Sequence, residues 1–182
     1  QFADSPSTLL DMGDAVAGSA LGPDDVRLEE ALAWTTGLRQ TAPSLSAFVV
    51  TRARLLAATG DVPQALLELR ALDSATAPFA PAHKLEADLL ASVGQFSAAS
   101  RAYDRYLALA PGDIAAARQR TRLDVWRGNR PAAERGYAAL QTSYPGHAAI
   151  GTEAVAKAAA ARGHWRKVLV ASDRWLALEP DD

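Results

Sequence analysis

The side chains with the most chemistry to offer stand in pairs four residues apart: Lys84 with Asp88, Arg118 with Arg122, and Glu153 with Lys157. That spacing puts both members of a pair on one face of a helix. A lone cation–carboxylate pair of this kind is a solvated helix face and contributes only about 0.3–0.5 kcal/mol. Two arginines on one face can instead hold a carboxylate, because the guanidinium fork matches it. Other chemistry is thinly represented. His83 and Glu86 are three apart, a spacing a metal site can use, but no second such pair accompanies them and no metal is expected. His147 and His164 read as a turn residue and a helix-start residue. The chain has no cysteine, which excludes disulfides, thiolate catalysis and cysteine–zinc sites. Its glycines are isolated, so no phosphate loop is present, and its serines lack a nucleophile elbow. Asp24-Asp25 and Glu29-Glu30 suit the acidic first turn of a helix and form no catalytic carboxylate pair. No catalytic residue, cofactor or metal is therefore expected, and the chain reads as a non-enzyme.

Composition narrows the partners. Of 182 residues, 49% are apolar and the formal net charge is −2, which is no general nucleic-acid signature. Only Lys84, Lys157 and Lys167 are lysines; the other sixteen cations are arginine. No apolar run approaches the roughly 18 residues of a membrane span, and no signal peptide is evident. The chain begins at Gln1 and stops at Glu179-Pro180-Asp181-Asp182, where another repeat would start, so it reads as part of a longer array.

The elements that position these residues recur. Ala31, Ala65, Ala99, Ala133 and Val168 are spaced by 34, 34, 34 and 35 residues. Gly60, Gly94, Gly128 and Gly163 keep the same period, as do Pro43, Pro78, Pro111, Pro145 and Pro180. A period of this length marks a stacked repeat. Each period divides into two helices. The second carries the clearer apolar stripe, as in Ala65, Leu66, Leu69 and Leu72 or Ala99, Ala102, Tyr103, Tyr106 and Leu107. Ala53, Ala87, Thr121 and Ala156 are small residues that let a paired helix approach closely. Glycine ends each first helix. Asp61, Gln95, Asn129 and His164 follow as caps for the second, and Pro63 and Pro131 fit its first turn. Helix breaks are predicted near Gly22, Pro43, Gly60, Ser74–Pro81, Gly94, Pro111, Gly128, Pro145 and Gly163, with no strand.

This pattern resembles the tetratricopeptide repeat (TPR): helix–turn–helix, a glycine between helices, an early alanine and later aromatic in the second helix, and a closing proline. Residues 80–113 match best, with Gly94, Phe96, Ala99, Tyr103, Leu107 and Pro111 in place. Residues 114–147 follow in strict register, 46–79 and 149–182 with small slips, and 1–45 as a degenerate first copy broken by Gly22-Pro23. The departures are specific. Arg52, Glu86 and Arg120 stand where the family's first-helix leucine belongs, and Arg130 where an aromatic such as Phe96 belongs. The resemblance implies an all-α fold, an α-solenoid forming a right-handed superhelix of about five hairpins over residues 1–182 as one repeat domain.

It also implies that first helices line a concave face. The family's inward offsets fall on Arg54, Lys84, Asp88, Arg118, Arg122, Trp126, Glu153 and Lys157. Five of these eight are cations, so the expected occupant is a protein or peptide segment with acidic groups, held without catalysis. On this reading, reversing Arg118 and Arg122 together removes binding and leaves stability nearly unchanged. Trp126 serves either to stack on a partner or to pack between repeats; Trp34, Trp165 and Trp175 read as packing. The alternative is a periplasmic scaffold segment of a bacterial protein exporting cellulose or poly-N-acetylglucosamine, which divergent arrays of this kind precede. That alternative would admit glycan contact and favour the cell envelope over the cytoplasm. No nucleic acid and no membrane-spanning segment are expected. The last helix, with Leu169, Trp175, Leu176 and Leu178, is expected to associate with another copy.

Overall fold

The turns between helices show most directly how this sequence builds its fold. Gly60, Gly94, Gly128 and Gly163 all have positive φ, between 69° and 89°, the left-handed conformation that costs a residue with a Cβ about 1–2 kcal/mol. At two of them the chain then closes the helix end with a six-residue bond: Asp61 N–H donates to Leu56 O (2.8 Å) and Asn129 N–H to Asp124 O (2.8 Å). This closure satisfies carbonyls that a helix end would otherwise leave unpaired.

The computed structural model describes residues 6–19, 22–41, 46–75 and 78–145, together with Glu153, Ala156, Ala160, Gly163 and Val170. The described helices are α1 (Pro6–Ser19), α2 (Val26–Thr41), α3 (Ser46–Ala58), α4 (Val62–Ala75), α5 (Ala80–Ser92), α6 (Phe96–Leu109), α7 (Ile114–Trp126) and α8 (Arg130–Ser143). No strand occurs among the described residues. The predicted breaks at Gly22, Gly60, Gly94, Pro111 and Gly128 all fall between helices, and Pro145 lies just past the end of α8. Pro43, Trp165 and Trp175 lie outside the described residues, so the expectation of association through the last predicted helix does too. The chain forms two compact units, Gln1–Gly94 and Gln95–Asp182. In the first, α3 packs against α1, α2, α4 and α5; in the second, α7 lies against both α6 and α8.

The small-residue register is buried as expected. Ala53, Ala87, Thr121 and Ala156 are buried in first helices, and Ala65, Ala99 and Ala133 in second helices. Leu55, Leu69 and Leu90 fill the first unit, and Leu123, Tyr137 and Leu140 the second, where Ile114, Ala117, Val125 and Tyr144 pack around Tyr137 and Leu140. Ala99→Leu is expected to overpack its contact and cost about 1–3 kcal/mol. Arg101→Ala, on the solvent side of the same helix, should cost under about 0.5 kcal/mol. Urea midpoints separate the two, and equal midpoints would disprove the register.

The caps are chosen more selectively than the sequence suggested. Asp61 accepts from Gln64 N–H (3.1 Å) and Asn129 from Ala132 N–H (3.4 Å), as expected. Gln95 makes no side-chain cap, and His164 lies outside the described residues. Gln has one more methylene than Asn and is not among the favoured caps. Two caps were not foreseen: Asp25, which with Asp24 stands ahead of α2 rather than in its first turn and accepts from Arg27 N–H (3.0 Å), and Asp113, whose Oδ1 accepts from Ala116 N–H (2.9 Å) while its Oδ2 accepts from the Tyr106 hydroxyl (2.7 Å).

One close contact explains a compensating pair. A Cβ on Gly136 would lie 2.7 Å from Thr121 Cγ2 and 2.9 Å from its Oγ1, so α8 meets α7 at the hydrogen of a glycine. One period earlier the same two registers hold Ala87 and Ala102. The methyl and hydroxyl added at Thr121 are matched by the methyl removed at Gly136. Gly136→Ala should therefore lower stability by about 1 kcal/mol or more, despite alanine's better helix propensity. Adding Thr121→Ala should restore it above the starting protein. A gain from Gly136→Ala alone, in thermal melts, would refute this contact.

Candidate interaction surface

The charged residues in first helices divide into those the fold consumes and those it displays. Glu153 is fully buried (0% exposed) and both of its oxygens are held. Oε2 accepts from Arg118 Nε (3.0 Å), and Oε1 from Arg122 Nε (2.6 Å) and the Tyr137 hydroxyl (2.8 Å). Arg118 is itself buried, at 8% exposure. This is a different arrangement from the expected one: Glu153 bonds across to α7 and α8, and Lys157 lies outside the described residues. Arg118 and Arg122 stand four apart on α7 as the sequence implies, but their guanidinium groups turn onto a carboxylate of the following repeat. The physical reason is desolvation: an arginine leaving water needs a carboxylate partner, and Glu153 supplies one.

Burial and the adjacent Glu153 carboxylate push the Tyr137 hydroxyl well above the ordinary tyrosine range. The folded state thus keeps this proton after the unfolded chain, with its pKa of about 10, has lost it. The contribution is fully present below that pH and is lost as pH rises above it. Alkaline titration of the folded protein should show as many tyrosines ionising as in folded Tyr137→Phe, with one more appearing only on unfolding. A Tyr137 that ionised reversibly near pH 10 would contradict the geometry.

The three charges at the family's leucine position are also explained. Arg52 donates from Nη1 to Thr36 Oγ1 (2.7 Å) and from Nε to Glu68 Oε1 (2.8 Å). Glu86 lies 3.9 Å from Arg70 Nε. Arg120 bonds Asp104 Oδ1 through Nε (2.9 Å) and also pairs with buried Asp124. In every case one partner stands sixteen residues upstream, on the second helix of the preceding repeat. A polar tie thus runs between adjacent repeats where the family uses apolar packing. No spacing rule within one helix would reveal it.

In the first unit, Arg54 is half-buried and ion-paired with Asp14 of α1. Lys84 is half-buried and Asp88 exposed, four apart on α5. In the second unit Trp126 is 51% exposed at the end of α7. Its ring stands 5.5 Å from that of Phe96, tilted by 45°. Arg127 follows it, drawn towards Asp124 (Nη1–Oδ1 3.6 Å), and Arg130 is exposed just past the glycine turn. Trp126 is therefore half packed against Phe96 and half exposed. Trp34 departs from expectation: it is 44% exposed on α2 rather than core, because the buried stripe of that helix runs through Leu28 and Thr35. Among the described residues no three metal-ligating side chains come together, and no helix is long and apolar enough to cross a membrane.

No family model matches the sequence, and no curated protein matches it. Solved structures do match in shape. A tetratricopeptide repeat protein from Parabacteroides merdae ATCC 43184 superposes with a TM-score of 0.72 at 15% identity, over 97% of this chain and 68% of its own. The MamA protein matches with 0.69 at 15% identity, over 96% of this chain and 92% of its own. The chain has the tetratricopeptide-repeat fold. A third TPR structure, YrrB, described as having an unusual peptide-binding site, matches with 0.67 at 17% identity, over 97% of this chain and 88% of its own. At such identities the shared property is the TPR architecture of paired helices. Within it, the leucine-position charges and the Glu153 cluster are this chain's own packing.

Proposed function

We propose that the chain is a non-catalytic interaction scaffold that docks an acidic segment of another protein, and that Trp126 is the anchor of the contact. The observation that carries this reading is the half-exposed Trp126, braced by Phe96 and followed by Arg127 and Arg130. A braced indole offers a large apolar face with little conformational entropy left to lose, and arginines beside it favour carboxylates. Residues 95–182 hold thirteen Lys and Arg against nine Asp and Glu, so the second unit as a whole attracts an acidic chain. The peptide-binding site described for YrrB supports peptide docking as a use of this fold. Within the first unit taken by itself, Arg54, Lys84 and Asp88 are proposed to contact a partner in the same way, and Lys157 is proposed as a further contact of the second. Arg118, Arg122 and Glu153 support it from below, by fixing α7.

A fluorescent peptide of alternating Glu and Asp with one central Phe is a suitable probe. Trp126→Ala should weaken its binding about tenfold or more, the scale of an interface anchor, and Arg130→Glu should weaken it further at low salt. Circular dichroism should be unchanged in both. Equal affinity of all three proteins for the probe would place the working surface elsewhere.

A further inference from the structure

The two units carry opposite charge. Residues 1–94 hold six Lys and Arg against twelve Asp and Glu, whereas residues 95–182 hold thirteen against nine. The whole-chain value of −2 conceals this division. In the acidic unit, exposed carboxylates stand on the first turns of α2 and just ahead of it. Val26, Glu30 and Trp34 recur every fourth residue and are all exposed, with Glu29 exposed beside them and Asp24 exposed just ahead of the helix. One helix face thus presents an aliphatic group, a carboxylate and an indole in line. Of the two cations on that helix, Arg27 is already bound to Asp25 (2.6 Å) and to the Ser19 carbonyl (2.7 Å), and the side chain of Arg39 lies outside those described.

In the basic unit the exposed excess lies on second helices. Arg101 and Arg105 are on the solvent side of α6, and Arg135 on that of α8. Arg101 and Arg135 occupy the same register, one period apart. Among the described carboxylates on these faces, Asp104 is engaged by Arg120, and Glu134 is exposed beside Arg135.

We propose that the α2 face of one molecule docks on the arginine faces of α6 and α8 of a second copy, joining copies head to tail. The occupant is chosen by complementarity: a carboxylate row suits an arginine row, and an exposed indole suits a guanidinium through cation–π contact. The two patches differ, so the contact is heterologous and propagates into chains of copies unless a ring closes. This surface is separate from the Trp126 anchor, and each stands without the other.

The test is the mass of the full 182-residue chain in solution, by light scattering and sedimentation across concentration. At an ionic strength of about 10 mM, where the Debye length is about 30 Å, the average mass should rise with concentration to at least about twice the monomer. At about 1 M salt, with a Debye length near 3 Å, it should return to the monomer. Glu29→Arg with Glu30→Arg should abolish association, and so should Arg101→Glu with Arg135→Glu. All four positions are exposed, so both variants should keep the wild-type melt. An equimolar mixture of the two variants should associate again, because reversed faces complement each other. Trp34→Ala should weaken association and Trp126→Ala should not. A wild-type chain that stays monomeric at low salt overturns the proposal. So does association indifferent to salt, or a mixture that fails to reassociate.

Discussion

Glu153→Ala is expected to destabilise the second unit by about 3–5 kcal/mol, the cost of removing one partner from a buried ion cluster. The residue deleted is fully buried, and its loss leaves the Arg118 and Arg122 guanidinium groups and the Tyr137 hydroxyl facing a void. Glu153→Gln should cost less, since an amide oxygen still accepts a hydrogen bond although the charge is gone. Reversing Arg118 and Arg122 to glutamate would bring three carboxylates together in a desolvated space. That variant should fail to fold its second unit, in contrast to the mild effect expected from sequence spacing. Urea titration followed by circular dichroism gives the ordering: wild type, then Glu153→Gln, then Glu153→Ala, then the double reversal. A double reversal as stable as wild type would mean that Glu153 does not meet these arginines.

Arg120→Leu should be nearly as damaging, though it restores the residue type usual for the fold at that position. Asp124 is 2% exposed and pairs with Arg120 on the same helix. Leucine removes the closer of its two cations and leaves Arg127 at 3.6 Å. The expected loss is about 2–4 kcal/mol, near the range for a broken buried pair and moderated by that remaining cation. Adding Asp124→Leu should recover most of it, because replacing both ions by apolar groups is often neutral or better. The preceding repeat already carries a buried leucine, Leu90, in that register. If the double variant were no more stable than Arg120→Leu alone, the Arg120–Asp124 pairing would not be what the position requires. Arg70→Ala makes a useful contrast. Arg70 is largely exposed and 3.9 Å from Glu86, so its removal should shift the midpoint little.

The repeat was legible because glycine, proline and alanine are constrained by backbone geometry. A left-handed turn requires Gly60, Gly94 and Gly128 wherever the chain is read, and close helix approach requires Ala53, Ala87, Ala65 and Ala99 to be small. Such demands are local, and local demands leave a mark at a fixed spacing. The ionic interior was not legible in the same way. Glu153 lies 35 residues from Arg118 and 31 from Arg122, so the spacing that paired Glu153 with Lys157 carried no information about α7. Arg52, Glu86 and Arg120 were visible as departures, but their upstream partners are a property of neighbouring repeats rather than of one helix. Trp34 was misjudged for a related reason: tryptophan is usually mostly buried, and only the position of Leu28 and Thr35 shows that it faces outward. The Trp126 surface was legible as a position, and its half-exposed state was not.

The sixteen-residue ties bear on how such a gene can change. Arrays built from tandem copies are open to gain or loss of one whole unit by misaligned recombination, which would keep both reading frame and period. Excising 80–113 would remove Glu86 and Asp104 together and set Arg120 opposite Arg70, joining two cations where a cation met a carboxylate. Excising 46–79 would instead set Glu86 opposite Thr36, a pairing of carboxylate and hydroxyl with no repulsion. Copies of equal length are thus unequal in heredity: one can be dropped at a junction that still closes, and the other leaves a scar of like charge. Once a tie of this kind is fixed, the order of the copies becomes part of the inheritance.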